Sequence, residues 1–396
     1  MMPDAYVLDL PRSLRRVGQL ATGIDRVERA YLREMLTLPL PVFGLVRTPL
    51  GYLLLDRKGM EAAQRLLEAG GDLPKASILS RLSRGRREEV ARAETALRAQ
   101  AIGRAVRLGL AGLLKRHLKG GFVYFNVGHS NLDRHVVRSL RRAGGLCHVL
   151  IHDTIPLDHP GFQKPGQPER FARKLAAVRD GAHQVICPSI TAADGVGAIL
   201  GAGMPITVAP IGVDVVRADP ALLTGSEAPR APYFVTVGTI EPRKNHAFLL
   251  DLWDQMGEAA PRLLICGARG WNNQAVFERL DRMPPDGPIV EHNALPDAAL
   301  AALVEGAAGA LFPTLAEGFG IPPVEARMLG TRVLCNDLPV LQENLAGKAT
   351  FIPVSEPHLW LDSIHKWGRS DAVRGVSTGF EGPGWQDHFK TVLSLA

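Results

Sequence analysis

Twice along this chain, short apolar runs that end in turn residues alternate with longer helix-compatible stretches, and that rhythm calls for parallel sheets built from strand–helix–strand units. The first series of candidate strands covers 6–10, 42–46, 51–55, 122–127, 147–152, 184–187 and 206–209. The second covers 233–237, 262–266, 289–291, 309–312, 332–335 and 349–352. Runs 42–46 and 51–55, joined by Arg47-Thr48-Pro49-Leu50, read as a hairpin insertion. Residues 217–232, rich in Pro, Gly and small polar residues, separate the two series and read as an interdomain linker. At 396 residues the chain is too long for one ordinary core. The expected fold is therefore α/β, with two Rossmann-like, doubly wound domains, 1–216 and 233–375, facing a central cleft. Ligands of such sheets sit at the C-terminal ends of the strands, so motifs there carry most weight.

Apolar residues make up 46% and charged residues 22% of the chain, which is globular composition with no tract long enough to stay unfolded. The N-terminal apolar run is cut off by Pro11 and a basic cluster, which gives neither a signal peptide nor a membrane span; a cytoplasmic protein is expected. Cys147, Cys187, Cys266 and Cys335 are scattered through apolar runs without zinc-ligand spacing and read as buried free thiols. The net charge of +6 suits an anionic partner. No interleaved stripe of aromatic and basic residues supports nucleic-acid binding. Arg81, Arg84, Arg86, Arg87, Arg92 and Arg98 lead into 104–119, which reads as an amphipathic helix with Arg104, Arg107, Lys115 and Lys119 on one side. That side is either an ordinary solvated face or a peripheral contact with anionic lipid at the inner face of the membrane.

The strongest motif is Glu317-Gly-Phe-Gly-Ile-Pro-Pro-Val-Glu325, directly after a candidate strand. Gly318 and Gly320 permit a sharp turn and close approach to a ligand, and Pro322 or Pro323 suits the first turn of a helix. Free N–H groups at that helix start favour a phosphate, while Glu317 in the loop and Glu325 in the first turn can accept hydrogen bonds from vicinal sugar hydroxyls. A lone Glu there would merely complement the helix dipole; the pair, spaced around glycines and prolines, points to a sugar–diphosphate–ribose ligand.

The second motif, Gly238-Thr-Ile-Glu-Pro-Arg243-Lys244-Asn245-His246, follows another strand, with Asn245 as the expected N-cap of the next helix. Arg243 and Lys244 there can stabilise charge on a departing diphosphate, work that a metal would otherwise do. Thr22-Gly23-Ile24-Asp25-Arg26-Val27-Glu28 opens a helix as a weak phosphate turn. His152 and Asp153 close a strand and project towards the cleft. Asp153, His129 and Asn126 are the acceptor-side candidates, and no metal site is read.

Together these residues resemble the retaining GT-B glycosyltransferases that include glycogen synthases, sucrose synthases and bacterial polysaccharide mannosyltransferases (glycosyltransferase family 4-like). The resemblance is strongest over 234–351, with CPSITAADG, VAPIGVD and HDTIPL in support upstream. It implies that Glu325 holds the ribose, Glu317 contacts the donor sugar, and Arg243 and Lys244 hold the diphosphate. His152 would lie beside the transferred sugar, Gly23 near the phosphates, and the backbone of Gly318, Phe319, Gly320 and Ile321 against sugar and phosphate. Gly238 and Leu295 complete the donor-binding set. Thr239 stands where many relatives carry Arg, and 291–295 lacks the Gly common in the base-binding loop. The resemblance further implies a last helix, about 376–396, crossing back to the first domain.

The implied activity is metal-independent, front-face transfer of a hexose, mannose by preference, from a GDP- or UDP-linked donor. The implied acceptor is a glycan or lipid-linked molecule in surface polysaccharide synthesis. No cofactor beyond the donor is implied. A non-catalytic sugar-nucleotide-binding subunit of a polysaccharide assembly complex and a sugar-nucleotide epimerase are the competing readings.

Overall fold

Strands covered on both faces need near-continuous apolar runs, and Ala5–Asp9 (β1) and Phe122–Asn126 (β5) are buried at every position. The computed structural model describes residues 3–19, 21–68, 73–81, 87–223, 232–284, 287–369 and 379–395. Arg84 and Arg86 of the basic stretch, and 224–231 of the expected linker, lie outside the described residues. The remaining strands of the first half are Val42–Thr48 (β2), Gly51–Leu55 (β3), Ala101–Ala105 (β4), Gly145–Leu150 (β6), Gln184–Cys187 (β7) and Ile206–Val208 (β8). They form an eight-stranded sheet in the order β4-β3-β2-β1-β5-β6-β7-β8. The second half contributes Tyr233–Val237 (β9), Arg262–Cys266 (β10), Ile289–His292 (β11), Gly309–Phe312 (β12), Val333–Cys335 (β13) and Thr350–Phe351 (β14). Their six-stranded sheet runs β11-β10-β9-β12-β13-β14, parallel throughout. This is the α/β, doubly wound pair of sheets that the strand rhythm calls for.

Each sheet reverses its winding beside its first strand. In the second, β9 lies between β10 and β12; in the first, β1 lies between β2 and β5. The crevices at these two reversals face each other, which fixes where a ligand enters. The hairpin reading holds: β2 pairs antiparallel with β3, and Thr48 lies opposite Gly51. All four cysteines are free and buried.

Two sequence expectations change. Residues 101–105 form strand β4, antiparallel to β3, and the following helix covers only Leu110–His117. Gly103 faces Leu113 and His117 of that helix, so Arg104, one residue on, points to the other face of the sheet. Arg104 and Arg107 therefore share no helical stripe with Lys115. Small residues at 101, 103 and 105 carry little strand propensity, and pairing with β3 decides their conformation. Asn245 stands at the N-cap position of helix His246–Met256 but adopts a left-handed conformation (φ 56°) and makes no capping bond. Its Nδ2 donates instead to the Pro313 carbonyl at 3.2 Å.

The last helix, Trp385–Ser394, packs on the first half. His388 Nε2 accepts from the Tyr31 hydroxyl at 2.8 Å, and its Nδ1 lies 3.1 Å from the carbonyls of Ala209 and Pro210. Burial holds His388 down to about 4, so the ring is neutral, with its proton on Nδ1 facing the two carbonyls. Phe389 meets the edge of Tyr31 at 5.0 Å and stacks on Trp385 at 5.5 Å. Phe389→Ala is expected to lower stability by about 3–5 kcal/mol, the usual cost of emptying a buried aromatic site. Urea denaturation checks it, and an unchanged midpoint would contradict this docking of the helix.

Candidate active site

The two motif loops of the second half leave adjacent strands, β9 and β12, at the reversal point of the sheet. Leu315 N donates to the Arg243 carbonyl at 2.7 Å, and Asn336 Nδ2 donates to the Thr314 carbonyl at 2.9 Å. Glu317 is thereby held against both cations. Arg243 Nη1 lies 2.8 Å from its Oε2, and Lys244 Nζ bonds its Oε1. Thr314 Oγ1 donates to the same oxygen at 3.1 Å, and Arg243 Nε also pairs with Glu241 at 2.7 Å. Burial alone would raise the Glu317 carboxyl, but Arg243 and Lys244 hold it down to about 2. The cations expected to hold a diphosphate are thus engaged by a carboxylate.

Two helix starts face each other across the cleft. Helix Ile321–Met328 begins after Gly320, which is left-handed (φ 89°), and helix Gly23–Thr37 begins after Thr22. A Cβ on Gly23 would come within 3.1 Å of Ile321 Cδ1, so the opposing turns nearly touch. Thr22 N donates to Asp25 Oδ2 at 2.7 Å, and Arg12 and Arg16 pair with the same carboxylate at 2.7 and 2.6 Å. Positive ends of two macrodipoles meeting in one cleft create a place for an anion. Glu325 is the fifth residue of its helix, one turn deeper than the first-turn position expected from sequence. Burial raises its carboxyl, opposed by a direct ion pair with Arg26 from the opposite half.

On that opposite side, His152 lies two residues beyond β6 rather than within it. Its Nε2 is 2.8 Å from the Val127 carbonyl, which can only accept, so the proton sits on Nε2 and Nδ1 keeps a lone pair. Burial holds His152 at about 4, hence neutral. Gly318 is required where it is, because a side chain there would run into the His152 carbonyl and Asp153. Burial pushes Asp153 up to about 6, against the nearby Arg243. Ser189 Oγ donates to the Gly318 carbonyl at 3.0 Å, a further bond between the halves.

A cleft of about 620 Å³ results, lined by Gly23, His152, Asp153, Gly238, Arg243, Lys244, Leu295, Glu317, Gly318, Phe319, Gly320, Ile321 and Glu325. Two acceptor-side candidates lie behind it. Asn126 is fully buried; its amide donates to Asp9 at 3.2 Å and to Tyr124 at 3.1 Å, and its oxygen accepts from His129 N at 2.9 Å. His129, held left-handed (φ 55°), bonds the Leu150 carbonyl at 2.7 Å and sits 5.3 Å from the His152 ring. They shape the loop under His152 and do not border the cleft. Arg16 and Asp297 border it outside any motif, and Arg26 borders it from the motif that opens at Thr22, which gave Arg26 no role. Arg26 had one available signal: a cation in the first turn of a helix opposes the dipole and calls for a partner outside the helix.

Two facing crevices, opposed helix starts and a carboxylate–cation cluster between them define a class of α/β proteins with a charged cleft between two doubly wound sheets. Residues 225–371 match the family Glycosyl transferases group 1. Among curated proteins the chain is similar to the serotype-specific mannosyltransferase WbdA of Escherichia coli. It is 28% identical over 258 residues, which cover 58% of this chain and 31% of that protein. The match thus spans about a third of the relative's length. Sucrose-phosphate synthase from Thermosynechococcus elongatus superposes with a TM-score of 0.63 over 99% of this chain and 98% of that one, at 14% identity. Anabaena HepE, solved in complex with UDP and glucose, gives 0.59 over 99% and 98%, at 13% identity. The chain has the GT-B fold, and the match to glycosyl transferases group 1 falls in its C-terminal half.

Glu317→Gln leaves a guanidinium and an ammonium in the cleft wall without their shared counter-ion. It is expected to lower stability by about 3–5 kcal/mol, the usual consequence of removing one partner of a buried ion pair. Chemical denaturation checks this, and a change below about 1 kcal/mol would show that the cluster contributes little.

Proposed function

We propose that this chain is a retaining, metal-independent hexosyltransferase. In this reading it moves mannose from a GDP- or UDP-linked donor to a glycan or lipid-linked acceptor in surface polysaccharide synthesis. One observation carries the reading: Arg243, Lys244 and two opposed helix starts converge on one cleft, opposite His152 and Asp153. The mannosyltransferase name of WbdA and the UDP and glucose bound to HepE support the choice of sugar and donor class.

The diphosphate would lie in the cleft along the helix starts at Gly23 and Ile321, which part to admit it. Arg243 and Lys244 turn from Glu317 towards it as charge grows on the leaving phosphate, the contribution that lowers the barrier rather than merely binding the donor. Glu317 then accepts from donor-sugar hydroxyls, and Glu325, exchanged from Arg26, accepts from the ribose. The bond from the anomeric carbon to phosphate breaks while the bond to the acceptor oxygen forms on the same face. The acceptor proton passes to the departing phosphate oxygen, so no protein nucleophile is used. His152 Nδ1 offers an acceptor beside the transferred sugar.

Incubation with GDP-mannose or a UDP-hexose plus oligosaccharide acceptor, followed by NMR of the product, tests this. The expected product keeps the donor's anomeric configuration and forms undiminished in EDTA. Inversion, a manganese requirement, or binding without transfer would overturn it. Asp153 adds a pH signature. Because its carboxyl ionises only above about pH 6, kcat/KM should fall as pH drops through that value. Asp153→Asn should lower the rate and remove that limb; an unchanged acid limb would take Asp153 out of the mechanism.

A further inference from the structure

Three exposed apolar side chains gather beyond the end of β4. Leu108 is 85% exposed, Val106 69%, and Leu50, at the tip of the β2–β3 hairpin, 39%. They are neighbours, because Gly51 packs directly on the backbone of Ala105 and Val106. Their presentation is fixed: Val106 precedes a single 3-10 turn, Arg107–Gly109, whose Arg107 carbonyl meets His135 Nε2 at 2.7 Å. An edge strand is often guarded by charge, as Arg104 does on β4 itself. Val106 and Leu108 lie past the strand, where there is no edge to guard.

Charge surrounds this apolar tip on one side. Between Glu94 and Asp133 the chain contains no Asp or Glu. Arg107 stands beside the tip with a 60% exposed side chain, 3.8 Å from Asp133. Lys115 and Arg116 are exposed on helix Leu110–His117, whose buried residues Leu110, Leu113 and Leu114 fix its outward face. β2 and β4 both run parallel to β1, so the tip lies at the end of the sheet that borders the cleft. Three strand spacings of about 4.8 Å separate β4 from β1.

We propose that Leu50, Val106 and Leu108 form a membrane-insertion tip, and that Arg107, Lys115 and Arg116 beside it bind an anionic bilayer surface. Apolar side chains beside a predominantly basic flank match the interface between acyl chains and anionic headgroups. A neutral partner would leave no reason for the basic flank. The surface would hold the cleft rim of the first half at the bilayer. It is independent of the transfer reaction proposed above, so lipid binding and transfer can fail separately.

The test is flotation of the full chain with phosphatidylcholine vesicles and with vesicles containing about one-third phosphatidylglycerol, at low and high salt. Binding to the anionic vesicles only, weakened by salt, is expected. Val106→Ser/Leu108→Ser and, separately, Lys115→Glu/Arg116→Glu should each lower the partition coefficient by about ten-fold or more while leaving the melting temperature unchanged. Absent binding, equal binding to both vesicle types, or variants that bind like the parent would overturn the proposal. So would a dimer in sedimentation that the Val106→Ser/Leu108→Ser variant abolishes, since a second copy would then cover the tip.

Discussion

Glu317, Arg243 and Lys244 are the constraint from which the arrangement of the site follows. Their side chains are 8%, 24% and 10% exposed, so each charge has lost much of its hydration and must be repaid by the others. That requirement ties the loop after β12 to the loop after β9. The Thr314 hydroxyl stands 3.1 Å from both a Glu317 oxygen and the Arg243 carbonyl and shares its one proton between them, and Asn245 reaches the Pro313 carbonyl. The left-handed backbone at Asn245 is the conformational cost of that link. With the two loops joined, Gly318 comes to rest against His152 and the helix start at Ile321 against Gly23.

The same logic of mutual neutralisation crosses the cleft. Glu325 takes Arg26, and Asp25 takes Arg12 and Arg16. Under the proposed function a nucleotide diphosphate enters by exchange: its phosphates replace carboxylates on the cations, and its hydroxyls replace cations on the carboxylates. Such exchange leaves every charged group of a poorly solvated site with a hydrogen-bonding partner, and opening of the Arg26–Glu325 contact accompanies it.

The sequence made the strands legible because parallel strands are buried on both faces and read as apolar runs. It also marked most of the cleft, because chemistry at strand ends leaves glycines, prolines and paired charges close together in sequence. What it concealed depended on distant partners. β4 is a strand by virtue of β3, and its small residues with an intervening Arg read as helix. Arg26 bonds a residue 299 positions away. Asn126 ends β5 and His129 follows it on the correct side of the sheet, yet Asn126 is buried against Asp9 and Tyr124 and a left-handed turn folds His129 beneath His152. Glu325 was recognised, but the start of its helix was placed too late by the two prolines.

The central claim is that the cleft is built for a nucleoside diphosphate, and ligand-induced thermal stabilisation measures it most directly. A ligand that binds only the folded state at about 100 times its Kd adds about 2.7 kcal/mol. GDP or UDP should therefore raise the melting temperature by several degrees, and the corresponding nucleosides should not, since they lack the phosphates that Arg243, Lys244 and the helix starts would bind. Equal midpoints with and without GDP, UDP and ADP would contradict the account.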